Sequence, residues 1–157
     1  NLGLVVNGSD PVDDGVHGDV HGARRGGETT FGTVGAVAID SCGDIVAGAS
    51  AGGCTTGNAA MLGTSTYADN RVCGVSSMCY EEQSLRAALA HDVCARMRYK
   101  RIGLREAVAE TVADTLVQLP GGIIAIDRDA NVAVGYNGPG LFRGWVEKDG
   151  RVCVDMF

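Results

Sequence analysis

Apolar positions fall into short blocks whose period changes along the chain. Thr33–Ile39 and Ile45–Ser50 are runs of small and β-branched residues, separated by Asp40–Ser41–Cys42–Gly43–Asp44. That pattern predicts two strands joined as a hairpin. Arg71–Ser77 is a further strand candidate. From about Glu82 to Tyr99, Leu85, Leu89, Val93 and Met97 recur every four residues, the mark of a helix with one buried face. Leu104, Val108, Val112 and Leu116 repeat the stripe and predict a second helix over about Leu104–Val117, bounded by Gly103 and Pro120. Gly122–Ile126 and Asn131–Tyr136 then form a hairpin turning through Asp127–Arg128–Asp129–Ala130. Val146, a turn at Lys148–Asp149–Gly150 and Val152–Phe157 close the chain. Strands, then two helices, then strands is the order of a segregated α+β fold, not of alternating βαβ units. No glycine-rich phosphate loop follows a strand, so nucleotide binding has no support.

Residues 1–32 have a different texture. Asn7–Gly8–Ser9–Asp10–Pro11 and Asp13–Asp14–Gly15 are turn formers, and Gly18, Gly22, Gly26 and Gly27 continue the run. Little apolar periodicity is present, which predicts a flexible linker or tail over 1–32 and a folded part over 33–157. His17 and His21 stand four apart with Asp14 and Asp19 nearby. A metal would need that segment to be helical, and the glycines between them argue against it. We expect no metal and no cofactor.

Composition narrows the classes. Thirteen Lys+Arg against nineteen Asp+Glu give a net charge of −6, the wrong sign for a protein whose main ligand is nucleic acid. The longest apolar runs, Val34–Ile39 and Ile123–Ile126, fall far short of the ~20 residues that span a bilayer, so no membrane helix is expected. The 24 glycines have no three-residue period and lie beside the β-like runs, where they permit tight turns and close backbone approach. Cys42, Cys54, Cys73, Cys79, Cys94 and Cys153 make no C-x-x-C pair. We read them as reduced, mostly buried thiols, which fits a reducing intracellular compartment, cytoplasm or organelle. The chain begins at Asn1, not Met, and nothing near it resembles a targeting peptide; a processed product or a fragment is expected.

The junction Gly32–Thr33 carries the sharpest chemistry. A threonine hydroxyl is a poor nucleophile until a base is held against it. A free α-amino group on the same residue, with a pKa of ~7.7–8, can be that base. Before scission the nitrogen is an amide and cannot act so. Glycine suits the scissile position because it tolerates a strained backbone. Self-cleavage between Gly32 and Thr33 would therefore create the nucleophile.

The stretch Gly32-Thr33-Val-Gly-Ala-Val-Ala-Ile-Asp40 resembles the cleavage and nucleophile motif of the plant-type asparaginase and isoaspartyl peptidase family, which are N-terminal-nucleophile hydrolases of threonine type. Ala49-Ser50-Ala51-Gly52-Gly53 falls where that family has Thr-Ser-Thr-Gly-Gly, and Thr66-Tyr67-Ala68-Asp69-Asn70 matches its Tyr-Ala-Asp-Asn. Gly121-Gly122-Ile-Ile-Ala-Ile-Asp127 and Asn137-Gly-Pro-Gly-Leu-Phe-Arg143-Gly144-Trp145 resemble its C-terminal strands and loop. The match runs from about Gly32 to Phe157. It implies the small β-subunit part of an αββα sandwich, with residues 1–32 as the tail of the α-subunit part and pre-cleavage linker. It also implies that the missing α-subunit part is a partner, and that αβ units pair as a homo-oligomer or join a larger complex. Thr33 would be catalytic, and amide or isopeptide bonds the substrate class.

The departures from that pattern concern the substrate. Where the family has Gly-Arg-x-Gly-Asp-Ser, whose Arg and Asp hold the substrate, Cys54–Gly63 is shorter and has neither residue. Where it has Thr-Gly-x-Gly-Glu, which helps build the oxyanion hole, Met78, Cys79, Tyr80, Glu81 and Glu82 stand. The family's second threonine is Ala51. A missing oxyanion donor costs about 10²–10³ in rate. Three readings follow: an active hydrolase; a catalytically degenerate member serving as a structural subunit; and retained self-cleavage with an altered substrate. Cys79 as a replacement nucleophile has no histidine near it but His91, and a buried structural role fits it better. Glu81 and Glu82 complement a helix start. Arg96, Arg98, Lys100, Arg101 and Arg105 form a basic cluster, read as charge at a helix C-terminus or as a docking patch for an acidic partner.

Overall fold

A computed structural model describes residues 3–8, 33–51, 63, 65–78, 86–116, 121–137 and 141–155. Two antiparallel sheets lie face to face. The larger has the order β3-β2-β1-β8-β9, from Ile45–Ala51, Thr33–Ile39, Gly3–Gly8, Phe142–Val146 and Val152–Asp155. The smaller has the order β4-β5-β6-β7, from Thr66–Asp69, Cys73–Met78, Gly122–Asp127 and Val132–Tyr136. Helices α1 (Leu89–Ala95) and α2 (Leu104–Thr115) pack on the outer face of the smaller sheet. Strands and helices are thus segregated, as the α+β reading expects.

Strand β6 shows why the layers stack in this order. Its residues Gly-Ile-Ile-Ala-Ile-Asp are buried throughout. Successive side chains in a strand point to opposite faces. Ile123 and Ala125 therefore join Val75, Val93, Leu104 and Val108 under the helices, while Ile124 and Ile126 join Val37, Ile39, Ile45 and Leu141 between the sheets. A run of apolar residues without alternation is what a strand covered on both faces requires. Helix α2 seats closely because β7 offers it Gly135, where a Cβ would lie 2.6 Å from Val108 Cγ1 and 2.9 Å from Val112 Cγ2.

The structure departs from the sequence expectations at four places. Within the segment read as a flexible tail, Gly3–Gly8 is β1, paired with β2 on one side and β8 on the other. The rest of 1–32, with His17 and His21, lies outside the described residues. The first helix is interrupted rather than continuous over the described part of its stripe, with Arg86 and Ala87 helical before a break at Ala88. Ala88 has a left-handed φ of 47°, α1 starts after it, and Arg96–Lys100 continue as a π-helical turn ending at Arg101, also left-handed at φ 60°. A left-handed residue interrupts a right-handed helix at both ends.

Thr66–Asp69 is a strand that periodicity missed, because only four residues long it shows no full alternation. Finally, Cys73 and Cys94 are not the free thiols expected. They form a disulfide, with Cα atoms 6.0 Å apart, that ties β5 to α1 through the core beneath the helices. The two residues are 21 apart in sequence, and only the packing of α1 on β5 brings them together. With that pair oxidised, the ground for a reducing compartment is lost. Cys42 is exposed and free, and Cys153 is half-buried and free.

Three members of the basic cluster, Arg96, Arg98 and Lys100, are paired with carboxylates. Arg96 binds Asp92 at 2.7 Å, Glu110 at 3.0 Å and Asp114 at 2.7 Å, and Lys100 binds Glu110 at 2.6 Å. Burial works against the Arg96 charge, but hydrogen bonds to Asp114, Asp92 and Glu110 outweigh it and raise its pKa. Arg98 lies 3.7 Å from Asp69. These contacts pin the π-helical turn to α2 and favour the structural reading of the cluster over the docking one.

Candidate functional site

The two ends of the sandwich have different chemistry. One end is formed by turns. Asp40 Oδ1 accepts from Cys42 N at 2.7 Å and Asp44 N at 2.9 Å, closing the β2–β3 hairpin. The N–H groups of Asp44, then Cys42 and Gly43, hold the Asp40 carboxyl below the usual range. Asn70, in the β4–β5 turn, accepts from Ile45 N at 2.8 Å and donates to Asp44 Oδ1 at 2.6 Å. Its neighbour Asp69 receives Arg71 Nε at 3.0 Å and Nη2 at 2.9 Å. That pairing, with the Arg71 N–H, lowers its pKa to about 2. The Tyr-Ala-Asp-Asn motif therefore ties the two sheets together at this end. A groove of about 900 Å³ opens here too, bordered by Asn131, Val132, Trp145, Glu147 and Arg151.

Thr33 lies at the other end. It is the first residue of β2, opposite Ala51 in β3; Gly32, Gly52 and Gly53 lie outside the described residues. Residues directly opposite in an antiparallel pair share a face, as do residues two apart in one strand. Gly35 is directed at the smaller sheet, since a Cβ there would lie 2.4 Å from Ser76 Oγ. The Thr33 position therefore shares the inner face with Gly35, Ala49 and Ala51. The same register puts Asn7 of β1 opposite both Gly35 and Arg143.

Across the gap, β5 contributes Ser76 and Met78. The Ser76 hydroxyl is buried and donates to Gly48 O at 3.5 Å. Met78, opposite Gly122, packs against the core between the sheets. Cys79 and the carboxylates at 81 and 82 lie outside the described residues, as does the loop over 52–62. Arg143 is held at this end: it stacks over Tyr136 at 5.5 Å, donates to Leu141 O at 3.1 Å and pairs with Asp155. Asn137 accepts from Gly121 N at 2.7 Å and donates to Leu116 O, joining the end of α2 to the β6–β7 pair. Sequence reasoning missed Asn7, Ser76 and Tyr136 at this end. The run Leu4–Val5–Val6 before Asn7–Gly8 was the one available signal for β1.

Among the described residues no cluster of His, Cys, Asp or Glu could hold a metal, and no helix is long and apolar enough to cross a membrane. The described residues define the class by fold: an α+β arrangement of two facing antiparallel sheets with helices packed on the smaller one. Residues 9–154 match the family described as Asparaginase, and the chain belongs to that family. It is 38% identical over 135 residues to the isoaspartyl peptidase of Escherichia coli K12, covering 81% of this chain and 42% of that protein. To the Arabidopsis thaliana protein named "Probable isoaspartyl peptidase/L-asparaginase 2" it is 39% identical over 131 residues, 80% of this chain and 40% of that one. The isoaspartyl peptidase of Salmonella typhimurium is 36% identical over 135 residues, 81% and 43%. The chain thus spans about two fifths of the length of these relatives.

Proposed function

We propose that this chain is the nucleophile-bearing part of an isoaspartyl peptidase or asparaginase-like amidohydrolase, with Thr33 as its nucleophile. The observation that carries the reading is the start of β2 at Thr33, on an inner face, within the Gly-Thr-Val-Gly motif. The Thr33 hydroxyl oxygen adds to the Gly32 carbonyl carbon, and its proton passes to the Thr33 nitrogen as the carbon–nitrogen bond breaks. Water then hydrolyses the resulting ester, returning the hydroxyl and leaving a Gly32 carboxylate and a free Thr33 amine. In turnover that amine takes the hydroxyl proton while the oxygen attacks a substrate amide carbon. The leaving amine departs with the proton, and water hydrolyses the acyl-enzyme ester. The Thr33→Ala variant, assayed with β-aspartyl dipeptides and asparagine beside the parent, tests this. Loss of release in the variant supports it, and equal rates overturn it.

The αββα sandwich needs a second helical layer. The outer face of the larger sheet exposes Val34, Val46, Phe142, Val152 and Val154, an apolar surface that favours burial. We assign it to a helical partner part corresponding to the remaining length of the relatives, in an αβ unit that pairs with another or joins a larger complex. Co-purification of a stable complex is expected; a clean monomer of this chain contradicts it.

A second reading has its own observation. Met78 places a thioether, which donates no hydrogen bond, where the family motif carries a threonine. In that reading the chain cleaves itself and then serves as a structural subunit. Scission of the chain together with equal amide release by parent and Thr33→Ala is its signature.

A further inference from the structure

We propose that the open edge of β7 is a docking site for an extended segment of the partner part, which adds beside it as a further strand of the smaller sheet. The proposal rests on the reading that a partner part supplies the remaining length of the relatives. It goes beyond that reading by naming the surface, the backbone groups and the form of the segment.

The hydrogen-bond phase of the β6–β7 hairpin decides which groups face outward. Asp127 N donates to Asn131 O at 3.1 Å, and Asn137 N to Gly121 O at 3.2 Å. One step beyond either end of the paired residues Gly122–Ile126 and Val132–Tyr136, both bonds join directly opposite positions. Bonded and non-bonded pairs alternate along an antiparallel ladder. Asn131, Ala133, Gly135 and Asn137 therefore turn their N–H and C=O toward β6, and Val132, Val134 and Tyr136 turn theirs away. Strand β7 is the last of its sheet, and among the described residues no hydrogen bond is made on that side.

Such an edge is a template for another chain unless charge, proline, a bulge or shortness protects it. The far edge of this sheet, β4, is four residues long and carries Asp69. Strand β7 is Val-Ala-Val-Gly-Tyr, with no charge and no proline. The larger sheet overhangs it. Strand β3 faces β4 and β5, β2 faces β5 and β6, and β1 faces β6. Strand β8 then covers β7: Trp145, Val132 and Val134 pack against one inter-sheet core, and the Arg143 guanidinium lies 5.5 Å over the Tyr136 ring. Strand β9, next in order, has no strand beneath it among the described residues. The groove of about 900 Å³ lies here, lined by Leu104, Arg105, Val132, Val134, Trp145 and Arg151. A second copy does not fit this shape, because pairing its β7 here would bring its own β8 into the place of β9. A single extended segment fits, with apolar residues at alternate positions facing Trp145. This chain spans about two fifths of the relatives' length, so the remaining length can supply that segment.

The test is residue-resolved hydrogen exchange on this protein alone and on the complex that co-purifies with it, beside Val134→Pro and Ala133→Pro. In the complex, the Val132, Val134 and Tyr136 amides should exchange at least ~10-fold more slowly than in the protein alone. Those of Ala133 and Gly135, bonded to β6, should be slow in both. Val134→Pro removes only an outward donor, which an edge strand tolerates, so the fold should persist and the complex be lost. Ala133→Pro cuts the ladder to β6 and should unfold the chain. A complex in which the outward amides stay fast, or one that Val134→Pro forms as the parent does, overturns the proposal and leaves the partner reading. Slow outward amides in the protein alone, covered by its own segment or a second copy, overturn it too. So does an Ala133→Pro variant as stable as Val134→Pro. Should Val134→Pro not fold, the exchange comparison decides alone. Absence of any complex overturns the partner reading and this proposal with it.

Discussion

Ser76 and Gly35 meet where the two sheets pack closely, two residues along β2 from Thr33, and Gly35→Ala perturbs that contact. The added Cβ would lie 2.4 Å from Ser76 Oγ and 3.1 Å from Ser76 Cβ. Both residues are buried, with Ser76 3% exposed, so the crowding has no route to solvent. Overpacking of this kind costs about 1–3 kcal/mol. Replacing a strand glycine with alanine returns about 0.5–1 kcal/mol of backbone entropy. Taking the middle of each range, the net loss is about 1 kcal/mol, a fall of roughly 2–4 °C in melting temperature for a chain of this size. Chemical denaturation of the parent, Gly35→Ala, Ser76→Gly and the double variant closes a mutant cycle. Removing the Ser76 side chain relieves the clash, so the coupling should reach about 1 kcal/mol or more. A Gly35→Ala variant within about 0.5 kcal/mol of the parent, or a strictly additive double variant, refutes the packing of β2 on β5.

Reduction of Cys73–Cys94 should lower stability by about 3 kcal/mol, from the loop-closure entropy of a 21-residue separation, and a Cys73→Ala/Cys94→Ala double variant should no longer respond to reductant. Asp69, whose folded pKa is depressed to about 2, stabilises the fold above the ordinary carboxylate pKa of ~3.9; that contribution fades as pH falls toward 2. A carboxyl titration by NMR reads the low midpoint directly, and Arg71→Gln should move it upward. Replacing Arg96 with Met leaves Asp92, Glu110 and Asp114 without their shared cation. The cost should be about 1–2 kcal/mol, limited by solvent screening of the exposed carboxylates, and should shrink when Asp114→Asn is added.

What the sequence revealed follows from how local each signal is. The hairpins through Asp40–Asp44 and Asp127–Asn131 were legible because turn residues and β-branched runs sit side by side. Helix α2 was legible because Leu104, Val108 and Leu116 hold one buried face. Strand β1 was not, since its three apolar residues are followed by a glycine-rich stretch, and its place between β2 and β8 depends on pairings more than 25 residues away in sequence. The disulfide is likewise a product of packing, not of spacing. At the candidate site, Thr33 was singled out through chemistry that a Gly-Thr junction permits. Asn7 and Ser76 were not, because only the register of one sheet and the stacking of the other bring them there. Asn70 and Asp69 carried a family motif yet lie at the opposite end, fastening turns.

The account turns on whether the polypeptide opens at its own threonine. Intact-mass measurement of the purified protein, with Edman sequencing of each product, reads this without a substrate. The account predicts two fragments, the second beginning Thr-Val-Gly-Ala, and a single undivided chain in Thr33→Ala. A folded parent that stays whole after prolonged incubation contradicts it.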